Sequence, residues 1–426
     1  MTTGIGITII MLGGVCWATA FASPSTQPAK AALGQPHTYL LNGKSLAETR
    51  RRTLAADPGL AEAVLQVRRK ADKHMSGELW TVTGKTIVAP SGDKHDYVSL
   101  LSYHWPNPDT PDGLPYVYRD GQLNPEVRQY DRYRLIPMCE AVEVLSLAYY
   151  LTGEEKYAKR AADQLRAWFL DERTKMNPHL RYGAMRKGSN EGTNNGPIQT
   201  VDLTRVVDAV GLLEGSASWP PEDHKRLQAW FAEYLQWLLT SDLGKREGKS
   251  PQNHGTYYDM QTADFALFVG KNELAKEIIE GVKTKRIATQ IEPDGSQPLE
   301  LKRESSLHYS NYNLTGMFNL ARLGEHVGVD LWSFQTADGR SIRRALDWMI
   351  PYATGEKPWE YKQIKKFSFA QTVYCLRQAA IAYKDPAYEQ AVSRMKEVQG
   401  EVARINLLYP PSPPPAQPAT DASPGR

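Results

Sequence analysis

Cysteine is scarce in this chain: 3 residues in 426. None sits at a Cys/His spacing that suits zinc, so neither a dense disulfide framework nor a structural metal is there to hold the fold together. Charge of one sign is also lacking. A formal net charge of +3 is too small for this length to mark a nucleic-acid partner, although a modest excess focused in a cleft suits an anionic ligand. No strand–helix–strand alternation is visible, which argues against a doubly wound sheet. The one membrane-type apolar run lies at the N-terminus, Ile5-Gly6-Ile7-Thr8-Ile9-Ile10-Met11-Leu12. It is short and is followed by the small-x-small site Ala20-Phe21-Ala22, so residues 1–22 read as a cleaved export signal rather than a retained anchor. The reading places the mature chain in the periplasm or outside the cell, with no lasting membrane insertion. Cys16 follows Gly13-Gly14-Val15, a poor fit to a lipidation site. After cleavage Cys139 and Cys375 remain, both in apolar helical patterns. They read as two buried thiols, with a disulfide between them left open.

What is present is helix. Residues 23–44 are rich in Ala, Pro, Ser and Gln and read as a flexible leader. The stretch 45–73 reads as one helix capped by Ser45. Residues 81–120 are crowded with Pro, Gly, Asp and aromatics, and an irregular stretch of that length inside a domain is usually functional. Beyond Pro137 apolar residues recur at helical spacing, with Gly153 as a stop signal and Pro220-Pro221 as a start. Helix end, short polar turn and new helix recur around residues 150, 270 and 384. That repetition predicts antiparallel helix pairs set in a ring, an all-α (α/α) toroid over residues 45–405. A Pro-rich tail is expected over residues 406–426.

Two polar clusters stand out from the periodicity. One is Gln252-Asn253-His254-Gly255-Thr256-Tyr257-Tyr258-Asp259, at a loop-to-helix junction. The other is Glu300-Leu301-Lys302-Arg303-Glu304, followed by Ser305-Ser306-Leu307-His308-Tyr309 and then Ser310-Asn311-Tyr312. Taken singly each residue has a plain structural reading: a satisfied histidine, a surface ion pair for Arg303 with Glu300 or Glu304, a packed tyrosine. Taken together they suit β-elimination on a uronic acid. The C5 proton of a uronate is acidic enough to remove only once the C6 carboxylate is neutralised, and Asn, His⁺ or Arg can do that. A base then takes the C5 proton and an acid protonates the departing O4. Tyrosine can do both where nearby positive charge lowers its pKa of about 10. In β-D-mannuronate and β-D-glucuronate the proton and O4 share a ring face, so one tyrosine suffices. In α-L-guluronate they do not, and a second group such as His254 is needed.

These residues resemble the alginate lyase superfamily, helical-toroid lyases of uronic acid polymers. Gln252-Asn253-His254-Gly255-Thr256-Tyr257 is similar to its Asn-Asn-His-Ser-Tyr-Trp type motif, and Arg303 followed by Tyr309 is similar to its Arg and catalytic Tyr. The likeness runs from about Asp96 to Ala391. It implies that Asn253, His254 and Arg303 neutralise or orient the carboxylate while Tyr309 is base and acid. Gln252 departs from the first Asn of the motif, with Asn194 and Asn195 as another source of amides, and Tyr312 is the alternative base. Tyr103, His104 and Trp105 offer a stacking platform, and Tyr258 a further contact. The expected activity is cofactor- and metal-independent lysis of an acidic polysaccharide, alginate first and glucuronan second. A glycoside hydrolase using Glu300 and Glu304 and a non-catalytic binder of acidic oligosaccharides are the rivals.

Overall fold

The computed structural model describes residue 1, residues 34–395 and residues 402–410. The expected export signal beyond Met1, the leader as far as residue 33 and the tail from residue 411 lie outside the described residues. Every element below belongs to one compact unit, Leu33–Arg426.

Helices α1 (Gly43–Leu54) and α2 (Pro58–Lys73) replace the single helix expected over 45–73. Asn42, not Ser45, caps α1 by accepting the Ser45 N–H at 3.1 Å. Asp57-Pro58 then breaks the run, because a proline has no N–H to continue the ladder and fits a helix start. Residues 81–131 are largely irregular, as expected. They carry β1 (Val98–Leu100), β2 (His104–Trp105) and β3 (Val117–Tyr118), with β2 antiparallel to β3 and β1 parallel to β4 (Tyr182–Met185). The buried pair Lys85–Asp131, at 2.5 Å, ties this segment to the start of the next helix.

The remaining helices are α3 (Arg132–Thr152), α4 (Glu155–Leu165), α5 (Leu203–Leu212), α6 (Pro221–Thr240), α7 (Asp242–Gly248) and α8 (Asn253–Phe268). Then come α9 (Asn272–Val282), α10 (Ala288–Gln290), α11 (Pro298–Leu301), α12 (Ser306–Gly324), α13 (Ile342–Ala353), α14 (Ala370–Ala382), α15 (Ala387–Arg394) and α16 (Ala403–Leu408). Gly153 stops α3 with φ 72°, its N–H donating to the Tyr149 carbonyl at 2.7 Å, a conformation in which a Cβ is strained. α3 is long and apolar enough to cross a membrane, but 83% of that stretch is buried in the fold.

The result is an all-α toroid. Helices α3, α5, α8, α12 and α14 line a central cavity, each packed on the next in that order. Helices α4, α6, α9, α13 and α15 back them from outside. Nearly all of α8 is buried, since it meets inner neighbours on both sides and outer helices behind, and such a helix needs no polar face. Gly316 on α12 allows the close crossing; a Cβ there would stand 3.0 Å from the Thr256 methyl.

Both expected terminal boundaries shift. Asp208 on α5 accepts the N–H groups of Tyr39, Leu40 and Leu41 at 2.6, 3.3 and 2.8 Å. A Cβ at Gly211 would lie 1.8 Å from the His37 carbonyl, so residues 37–41 are docked rather than part of a flexible leader. At the other end α16 packs on α1 and α2. Leu407, Leu408 and Tyr409 are buried, so the core extends past the residue 406 boundary. Cys139 and Cys375 are buried and free, as two thiols in apolar surroundings.

Candidate active site

The central cavity holds about 730 Å³, and both polar clusters open onto it: Asn253, His254 and Tyr257 from α8, and His308, Tyr309 and Tyr312 from α12. Residues 102–104, Asn195 and Arg132 in the first turn of α3 also line it.

The α8 side is built as a helix start. Helix α8 begins at Asn253, earlier than the apolar pattern from Met260 suggests, because Gln252 caps it by accepting the His254 N–H at 3.1 Å. Asn253 donates its backbone N–H and its Nδ2 to the two oxygens of buried Glu300, each at 2.8 Å. Burial pushes the Glu300 carboxyl up, and those two bonds oppose it. The His254 Nδ1 lies 2.6 Å from Glu247, whose side chain is 0% exposed. Glu247 also accepts from Asn194 Nδ2 at 3.2 Å and Ser250 Oγ at 3.3 Å. A carboxylate on Nδ1 holds the proton there and leaves Nε2 as the free ring nitrogen. The turn before α8 is clamped by Arg286, which donates to the Gly248 and Ser250 carbonyls at 2.7 and 2.8 Å and to Asp259 at 2.8 Å. That clamp explains Gly255: a Cβ would stand 2.2 Å from the Ser250 oxygen and 2.3 Å from the Arg286 guanidinium.

On the α12 side the Tyr309 hydroxyl donates to the Tyr103 hydroxyl at 2.9 Å. The Arg303 guanidinium lies 3.6 Å from the Tyr309 ring centroid. Nε and Nη2 of Arg303 donate to Asp120 at 3.0 and 2.6 Å, and the Glu304 N–H and Tyr118 hydroxyl also donate to Asp120. Two expectations are corrected here. Arg303 does not line the cavity, and its partner is Asp120 rather than Glu300 or Glu304; it acts on Tyr309 from behind. The Tyr309 phenol is raised, not lowered: burial pushes it up and Tyr103 adds to that, outweighing the favourable charge of Arg303. Desolvation of an anion outweighs a cation already engaged by a carboxylate. Tyr309 therefore rests as a neutral phenol. Tyr312 stacks on Tyr257 at 4.0 Å and 16°, and on His308 at 5.8 Å. Its phenol too is raised by burial.

The other candidates divide. Tyr103, His104 and Asn195 line the cavity. Asn194 instead supports Glu247. Tyr258 points away and donates to the Leu238 carbonyl at 2.9 Å, so it is a packing residue. Trp105 is held outside the cavity by a bond from Nε1 to the Gln122 carbonyl at 2.9 Å, with Arg119 over its ring. Glu300 is spent on Asn253, and Glu304 pairs with Lys362 at 2.7 Å, so neither offers a free carboxylate for hydrolysis. Among the described residues no group of three or more His, Cys, Asp or Glu could hold a metal ion.

Sequence reasoning missed Arg132, Glu247 and Asp120, and named Tyr257 only as part of the first cluster. Arg132 lines the cavity with no carboxylate at ion-pair distance among the described residues. Glu247 stands seven residues before His254, a spacing that carries no motif. Asp120 is 183 residues from Arg303 in the chain, so no local signal exists.

The family model described as Alginate lyase matches residues 81–359. An alginate lyase of Azotobacter chroococcum mcd 1 is 24% identical over 300 residues, which is 66% of this chain and 76% of that protein. The crystal structure of an alginate lyase from Bacteroides ovatus is 39% identical, covers 88% of this chain and 99% of its own, and superposes with a TM-score of 0.83.

Proposed function

Because the chain belongs to the alginate lyase family, we propose that this polysaccharide lyase cleaves β-1,4-linked uronate polymers by β-elimination, alginate first and glucuronan second. The observation that carries the reading is the pairing, across one cavity, of a phenol on a phenol with a histidine on a buried carboxylate. Tyr309, protonated at rest, is the acid that gives its proton to the O4 leaving oxygen. On mannuronate or glucuronate it is also the base: it first loses its proton to solvent, Arg303 behind its ring lowering the cost of the phenolate, then takes the C5 proton and hands that proton to O4. On guluronate His254 Nε2 takes the C5 proton from the opposite face. Asn253 has a second amide proton for the substrate carboxylate, and Arg132 supplies the unspent positive charge. Each donor raises the acidity of C5–H by stabilising the charge that develops on the C6 carboxylate.

The test is a panel of polymannuronate, polyguluronate, glucuronan and hyaluronan, read by the ultraviolet absorbance of C4–C5 unsaturated ends. Absorbance on at least one of the first three, lost in Tyr309→Phe, is the expected result. Saturated products from any of them would mean hydrolysis and end the reading. Binding of all four without product would leave a non-catalytic binder.

A further inference from the structure

A strap over residues 359–369 crosses the start of α12, and the chemistry above uses nothing on its outer side. Backbone bonds fix its register. The Ser306 N–H donates to the Lys362 carbonyl at 3.0 Å and the Ile364 N–H to the Glu304 carbonyl at 3.0 Å. Gln363 Oε1 accepts the Leu307 N–H at 3.0 Å. Whatever the strap carries is therefore held in place beside His308 and Tyr309.

Two features on it have no structural employment. Lys365 and Lys366 are exposed, and neither forms an ion pair with a carboxylate among the described residues, unlike Lys362 with Glu304. Lys365 Nζ stands 5.8 Å from the centroid of the Tyr103 ring, which lines the cavity. A few residues upstream the rings of Trp348, Tyr352, Trp359 and Tyr361 form a chain with centroid spacings of 4.9, 5.0 and 5.2 Å. Trp359 is anchored, its Nε1 donating to Ser306 Oγ at 3.0 Å. The outermost ring, Tyr361, is 39% exposed. Packing the end of α13 needs the inner rings but not a phenol in water.

We infer that this strap is an outer subsite for the acidic polysaccharide, an inference that rests on the polyuronate reading. A polymer longer than the cavity has to lie on the surface somewhere. Tyr361 presents a flat face to a sugar ring, and Lys365 and Lys366 meet the carboxylates of sugars still outside, leading the chain to Tyr103. Glu360 and Asp294 act on Tyr352, and Glu356 is paired with Arg394. The polyanion therefore runs along the Lys365–Lys366 side.

The experiment compares the native sequence with the double variant Tyr361→Ala/Lys366→Ala on a polyuronate and on its trisaccharide, with Lys365 left in place because its charge stands near the Tyr103 ring. KM for the polymer should rise roughly fivefold to tenfold, the worth of one stacking contact and one exposed charge contact. KM for the trisaccharide should move by less than about twofold. An unchanged polymer KM overturns the inference, and so does an equal rise on both substrates, which would report a damaged cavity. Retardation of Tyr309→Phe protein in a polyuronate gel gives a second reading without turnover. Faster migration when the two outer changes are added supports the subsite, and unchanged migration overturns it. If the native sequence produces no unsaturated ends at all, the lyase reading fails while the gel still judges the strap.

Discussion

Replacing Asp120 by asparagine tests the most specific electrostatic feature of the site. Asp120 is 15% exposed at its side chain and Arg303 20%, so the pair is screened only in part. Burial alone would raise the Asp120 carboxyl, but the Arg303 hydrogen bonds and the Glu304 N–H outweigh it and hold it at about 2, from the ordinary 3.8. At ~1.36 kcal/mol per pH unit, and discounted for that partial screening, the drop is worth ~2 kcal/mol of stability. The sign follows from a depressed acid. The contribution is fully present above pH ~4, where the unfolded carboxyl is ionised, and is lost as pH falls toward about 2. The Asp120→Asn variant would lack it at every pH. Urea unfolding should therefore show the variant ~2 kcal/mol less stable at pH 7, with the difference shrinking between pH ~4 and ~2. The lyase rate should fall as well, since Arg303 loses the fork that holds it over Tyr309. A difference that stays constant down to the lowest pH, or one below ~0.5 kcal/mol at pH 7, would refute charge pairing as the cause.

Three further outcomes can be checked. Tyr309→Phe should lower kcat by at least ~10²-fold, read from unsaturated ends, with the unfolding midpoint nearly unchanged because only a hydroxyl bond to Tyr103 is lost. Glu247→Gln should lower kcat/KM by ~10²-fold, since the carboxylate that orients the His254 ring is gone; an unchanged kcat/KM would count against an orienting role. Gly255→Ala should cost ~1–3 kcal/mol in denaturant unfolding, because the new methyl meets the Ser250 oxygen and the Arg286 guanidinium.

The clusters around His254 and Tyr309 were legible because polar residues interrupt helical periodicity only where something other than packing selects them. The roles around them were less legible. Tyr257 and Tyr258 are neighbours with the same side chain, yet a helix turns by about 100° per residue, so one ring faces the cavity and the other the α6 side. Trp105 looked like a platform because aromatics suit sugars, but its indole N–H found a loop carbonyl first. The break at Asp57-Pro58 is a local signal, since proline cannot continue the helix ladder, although the apolar pattern runs on through it.

Amino-acid order by itself determined the helix content, the ring of helical hairpins and the pair of segments that meet in the site. Those follow from periodicity, glycine and proline stops, and side-chain type, all of which act over a few residues. Which charge was free and which was spent depended on folding. Asp120 reaches Arg303 across 183 residues, Glu300 takes Asn253 from another helix, and burial turns the Tyr309 phenol away from ionisation. Electrostatics depends on distance and water exclusion in space, and neither is written in the spacing of a linear chain.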